Sequence, residues 1–176
     1  FIITITIIGC IFSGCEDKNT EQRNLFEDEV ITHDITVHET KGFYFDLTSG
    51  LEVDSSSTWH LSFQMLPVNF GQSVYMMPNL ILGPTVLAAE YNDILFDDLL
   101  TTPDTFMSDY FEDASVLHYL GANEVIQYNM QNHRASIKNP SRVFVIYETT
   151  DQSTYKVQFI EYNRGVTAFR HSTLLK

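Results

Sequence analysis

The chain has 176 residues, 44% of them hydrophobic, which suffices for one domain with a sizeable core. Its 23 carboxylates outnumber 10 Lys and Arg, for a net charge of −13, so a phosphate backbone or anionic headgroups would repel it and nucleic acid is not an expected partner. With 13 Phe and 9 Tyr against 8 Gly and 5 Pro, the composition favours sheet over disorder.

The first stretch, "FIITITIIGCIFSGCEDKNTEQ", opens with about a dozen apolar residues, fewer than the roughly 20 a bilayer span needs. It fits the apolar core of a secretory signal. Its end, Phe12-Ser13-Gly14-Cys15, resembles a bacterial lipobox, with small residues ahead of the cysteine for cleavage. The expectation is a signal peptide over 1–14, lipidation at Cys15 and a polar tether over 15–29. Several acyl chains would hold the protein stably on a membrane. Ile7-Ile8-Gly9-Cys10 ranks second, because a bulky Ile precedes Gly9 and an apolar tail would remain. A buried N-terminal strand with two ordinary thiols is the competing reading. If Cys10 leaves with the signal, the mature chain has no disulfide and no cysteine-based metal site. Glu16 and Asp17 directly after Cys15 resemble the surface-export signal of Bacteroidota lipoproteins. The expected location is therefore the outer membrane, lipid-anchored, on the cell surface.

Strand signals dominate from residue 30. "VITHDITVH" (30–38) is rich in β-branched residues and tends to alternate. "GFYFDLTSG" (42–50) is an aromatic strand ending in a Ser-Gly turn. "STWHLSFQ" (57–64) sets Trp59, Leu61 and Phe63 on one face and His60 and Ser62 on the other. The middle is less regular: "GQSVYMMPNLILGPTVLAAE" mixes apolar runs with Pro78 and Pro84, and Met76 and Met77 read as core gap-fillers. In "AEYNDILFDDLL" (89–100), Tyr91, Ile94, Leu95 and Leu99 fall at helical spacing, which predicts a short helix. Glu90 to Asp113 holds eight acids and no base, a solvated face without the register or tight Gly of a calcium loop. "RVFVIYE" (142–148) is apolar on both faces and reads as a central strand. "YKVQFIEY" (155–162) and "GVTAFR" (165–170) read as a hairpin, joined to 142–148 by the polar turn "ETTDQST". The sum is an all-β, single-domain antiparallel β-sheet fold over 30–176 with at most one or two short helices.

Catalytic signatures are missing from the sequence. There is no Cys cluster, no H-E-x-x-H, no Gly-rich phosphate loop and no nucleophile elbow. The six His are scattered, so no enzyme activity is expected.

Read in order, the strands resemble the HmuY-like haem-binding lipoproteins of Bacteroidota. "YFDLTSGLEV" matches that family's aromatic strand and following Ser/Thr-x-Gly-x-x-Val. "TWHLSF" with "VNFG" matches its Trp-centred strand and Asn-x-Gly. "PSRVFVIYETTDQSTYKVQFIEY" matches its most distinctive block, and "GVTAF" its closing strand. The resemblance covers about residues 30–173 and is weakest over 72–125, where the chain is shorter and lacks the family's Gly-rich run. It implies haem (iron protoporphyrin IX) as ligand, held between two axial side chains on loops at one end of the sheets. Counting back from the Arg-Val-Phe-Val strand puts the downstream ligand on Met130, with His133 three residues away as the alternative. The upstream ligand falls on Met107, with His118 as its rival. Thioethers are soft donors that favour ferrous iron. Arg134, Lys138 and Arg142, three bases within nine residues of an acidic chain, are candidates to meet the haem propionates. The implied role is a hemophore that serves iron acquisition: it captures haem at the surface and passes it to a TonB-dependent outer-membrane transporter. The alternative is a structural or interaction lipoprotein of the same fold that binds a protein or glycan and has no haem site.

Overall fold

The structure, a computed structural model, describes residues 28–37, 42–103, 110–111 and 113–175. The chain is all-β. Three strands open it: β1 (Asp28–Ile31), β2 (Phe43–Asp46) and β3 (Leu51–Val53). A long hairpin follows, β4 (Leu61–Phe70) and β5 (Ser73–Leu82), then β6 (Val86–Tyr91). A second hairpin is β7 (Ile126–Asn129) and β8 (Arg134–Ile137). The last three strands are β9 (Val143–Glu148), β10 (Thr154–Asn163) and β11 (Val166–Thr173). Five of these form an antiparallel sheet in the order β1-β11-β10-β9-β6, and four form another in the order β3-β2-β4-β5. The β7–β8 hairpin stands apart as a two-stranded ribbon.

Aromatic rings join the two large sheets face to face. Phe63 of β4 meets Phe159 and Phe169 of the other sheet at centroid distances of 6.0 and 5.7 Å, and Phe45 meets Phe169 at 5.2 Å. Such pairs contribute about 0.5–1.5 kcal/mol each beyond the area they bury. β9 is interior to its sheet and buried on both sides, as its sequence implies. Phe144 and Ile146 enter the inter-sheet core, while Val143 and Val145 pack outward under Phe96, Leu99 and Leu174.

Several local expectations are corrected. No helix forms over 89–100. β6 runs to Tyr91 because it pairs along its whole length with β9, and only a single 3-10 turn follows, Phe96–Asp98. Phe96 is held on the outer face of the sheet against two cations, Lys156 Nζ at 4.2 Å and the Arg170 guanidinium at 4.1 Å from its ring centre. Leu95, a supposed helix-face residue, is exposed. The strand expected over 30–38 ends at Ile31 and gives way to a turn. Of the two prolines of the middle, Pro84 lies in the turn between β5 and β6, whereas Pro78 sits within the long β4–β5 ladder opposite Met65, as Pro67 does opposite Met76. His60 and Ser62, on the strand face opposite Leu61 and Phe63, are buried as well. His60 packs against Tyr155 and lies near Asp46 and Glu148.

One irregularity shapes the site. In β10 the pairing with β11 shifts between Phe159 and Glu161, so Ile160 is an extra residue. A bulge of this kind flips the strand's alternation. Tyr155, Val157 and Phe159 face the core at period two, yet the next core residue is Tyr162, three positions on. Glu161 and Asn163 are thereby turned out to solvent.

Candidate functional site

Beyond that bulge, a cleft of about 980 Å³ opens between β5, the β7–β8 hairpin and the β10–β11 turn. Its volume is at the upper end of the range typical of small-molecule and cofactor sites. β5 contributes Met76, Met77 and Pro78. The hairpin contributes Tyr128, His133 and Arg134, and the end of β10 contributes Tyr162 and Arg164.

Local sequence explains how each wall is held. The hairpin is anchored by Ile126 and Ile137, a facing pair buried in the main core. Its loop is organised by Asn side chains: Asn129 Oδ1 accepts from Gln131 N–H at 2.8 Å, and Asn132 Oδ1 accepts from Arg134 N–H at 3.1 Å. Asn favours such turns because its side chain mimics a backbone acceptor. His133 closes the loop with φ 54°, a left-handed conformation in which His is enriched among non-glycine residues. Its Nδ1 lies 3.0 Å from the Tyr128 hydroxyl. When Nδ1–H donates to that oxygen, Nε2 carries the lone pair, the arrangement seen for metal-binding imidazoles with a second partner.

Tyr162 is buried, and burial pushes its phenol pKa up despite the Gly165 backbone contact, so it stays a neutral wall. The β10–β11 turn consists of Arg164 (φ 48°) and Gly165 (φ 89°) between the paired Asn163 and Val166. A Cβ on Gly165 would collide with Asp34 Oδ1, so glycine is required both by conformation and by space.

The residues expected from sequence are distributed unevenly. His133 and Arg134 line the cleft. Met130 is on the same loop but 60% exposed and outside the lining. Met107 and Cys15, as well as Cys10, lie outside the described residues. His118 ends the 3-10 turn Ala114–Leu117, away from the lining; burial lowers its pKa against the pull of Asp113. Lys138 is paired with Glu124 at 3.1 Å. Arg142 is corrected as a propionate contact. It is 5% exposed, pairs with Glu90 at 3.1 Å and donates to the Glu124 carbonyl at 2.6 Å, which leaves its charge to the fold. Met77 is a core filler as expected. Met76 is instead 42% exposed on the cleft. Sequence reasoning did not single out Arg164 or Tyr162; the three-residue step from Phe159 to Tyr162 in an otherwise period-two strand is the signal that marks the bulge.

The lining offers an iron porphyrin a soft thioether, an imidazole and cations at the rim, with Met77, Pro78, Tyr128 and Tyr162 as the apolar and aromatic part of a wall that is otherwise mostly polar. Among the described residues no three His, Cys, Asp or Glu converge to hold a bare metal ion. No helix among them is long and apolar enough to cross a membrane. No protein-family model matches the chain, and no curated protein matches it either.

Proposed function

We propose that the protein is a haem-binding lipoprotein that takes haem into the cleft between β5, the β7–β8 hairpin and the β10–β11 turn. The observation that carries this reading is that His133 and Met76 both line one cleft of about 980 Å³. The blocks that resemble the HmuY-like family support it from the sequence side. Iron porphyrin supplies an open-sided metal that accepts one or two axial donors from a protein. Here His133 offers Nε2, Met76 offers a thioether, and Tyr128, Pro78 and Tyr162 supply walls for the macrocycle. Met130 and Met107 remain the donors that the resemblance itself favours. Lipidation at Cys15 would tether the protein to the outer membrane and hold it near a TonB-dependent transporter. The role is capture and relay, without catalysis.

The test is a haemin titration of the full chain, followed in the visible spectrum before and after reduction. Saturable binding with a sharp Soret band is expected, and His133→Ala should lower the affinity and shift the band. A broad spectrum, identical in the parent and in the His133→Ala and Met130→Ala variants, would refute the assignment.

A second reading, an interaction lipoprotein for protein or glycan, is favoured by one surface. At the tip of the β4–β5 hairpin, Val74 and Tyr75 are 62% and 56% exposed, and Phe70 joins Tyr75 and Tyr119 in a row of rings. If Tyr75→Ala abolishes ligand binding while haemin titrates nothing, this reading replaces the first.

A further inference from the structure

Six of the chain's ten Lys and Arg lie among the described residues, and four of those six have a partner. Among the described residues, Lys138 pairs with Glu124, Arg142 with Glu90 and Arg170 with Asp97, while Lys156 Nζ donates to the Phe96 carbonyl. Arg134 and Arg164 alone have neither an ion pair nor a side-chain hydrogen bond. Both line the same cleft. Glu161 also lines it and pairs with neither of them. The cleft rim is therefore locally positive on a molecule of net charge −13.

Arg164 adds a second, independent sign. It occupies the first central position of a two-residue hairpin turn with φ 48°. That position favours Asn, Asp or Gly, and a long side chain rarely adopts the left-handed region there. Strained residues of this kind gather at binding sites, where the surroundings hold them for their side chain. The bulge at Ile160 and the fixed Gly165 set where the strained residue stands.

We propose that Arg134 and Arg164 form a carboxylate clamp, which makes the cleft selective for a ligand bearing free carboxylates. The guanidinium is a planar fork that meets a carboxylate with two parallel charge-assisted hydrogen bonds. Two such forks suit a ligand with two acid groups. The proposal deepens the haem reading and rests on it for the ligand's identity, because the porphyrin's propionates are the carboxylates in question. Discrimination acts through the acid groups and not through iron, so it is measurable without the metal.

The test is a fluorescence titration of the full chain with metal-free protoporphyrin IX and with its dimethyl ester. The parent protein is expected to bind the free acid about tenfold or more tightly than the ester, in line with the strength of charge-assisted pairs. In Arg134→Gln/Arg164→Gln that preference should vanish. Arg164→Asn suits the turn better, so it should melt no lower than the parent and yet bind the acid more weakly, which separates binding from folding. Equal affinity of the parent for acid and ester, retention of the preference in the double variant, or no saturable binding of the acid would each overturn the clamp. A haemin titration in parallel keeps the two claims distinct. If the acid preference holds while haemin shows no spectral dependence on His133, the clamp stands and the haem assignment falls.

Discussion

The β6–β9 seam and the cleft use the same residue types to opposite ends. In the seam, Arg142 is buried, paired with Glu90 and bonded to a carbonyl. In the cleft, Arg134 and Arg164 face solvent with their donors open. A similar contrast separates the histidines. His60 is buried, with Nδ1 accepting from Leu47 N–H at 3.1 Å. His133 is exposed, left-handed and hydrogen-bonded to the Tyr128 hydroxyl. A charge satisfied within the protein contributes to the fold, and one left unsatisfied at a cleft is available to a ligand.

The largest effect expected is in the seam. Arg142→Met removes the cation paired with Glu90, leaving that carboxylate only the Asn92 amide, and orphans the Glu124 carbonyl, so it should cost about 3–5 kcal/mol in denaturant unfolding. A loss below about 1 kcal/mol would mean that the seam is as solvated as the cleft, and the contrast would dissolve. Gly165→Ala should cost about 1–3 kcal/mol, because it imposes both a left-handed strain and a collision with Asp34. It should also weaken protoporphyrin binding, since Arg164 is displaced with the turn.

A pH series sharpens the histidine half of the comparison. Burial lowers the pKa of His60 below its ordinary 6.5, and the pull of Asp46 and Glu148 the other way does not cancel it. The folded state therefore holds the ring neutral, while the unfolded chain takes up a proton below about 6.5. Stability should fall as pH drops through that value toward the lower folded pKa, then level off. Burial of His118 acts in the same direction. In His60→Gln the slope between about pH 7 and 5.5 should shrink; an unchanged slope would show that His60 is not the group responsible. The smallest effect belongs to Met130→Ala. At 60% exposure the change in stability should stay within about 0.5 kcal/mol, so any loss of haemin binding in that variant would report on ligation alone.

Much of the scaffold is legible in the residues. The two-sided apolar run Val143–Ile146, the alternation of Tyr155, Val157 and Phe159 and the Arg-Gly turn lead to β9, β10 and β11 with little room for another answer. The long pairing of β4 with β5 is less legible, because Pro67 and Pro78 argue against strands and only the ladder as a whole overrides them. The false helix at 89–100 fails for a similar reason: Tyr91 and Ile94 sit at helical spacing, but β9 captures the first part and Phe96 is seized by Lys156 and Arg170. The site was half visible. His133 and Arg134 are close in sequence, whereas Met76, Tyr162 and Arg164 come from elements 28 or more residues away on either side.

By itself the sequence determined an acidic chain rich in alternating aromatic residues, and hence antiparallel sheets that must bury one face against each other. Period-two patterning is a local property, and the hydrophobic effect acts on it whatever the distant partners are. Which cations would be neutralised and which left open was decided only in three dimensions. Pairing depends on which carboxylate folds to within a few ångströms, and a single extra residue in β10 turned the strand's end so that Arg164 and His133 share one cleft.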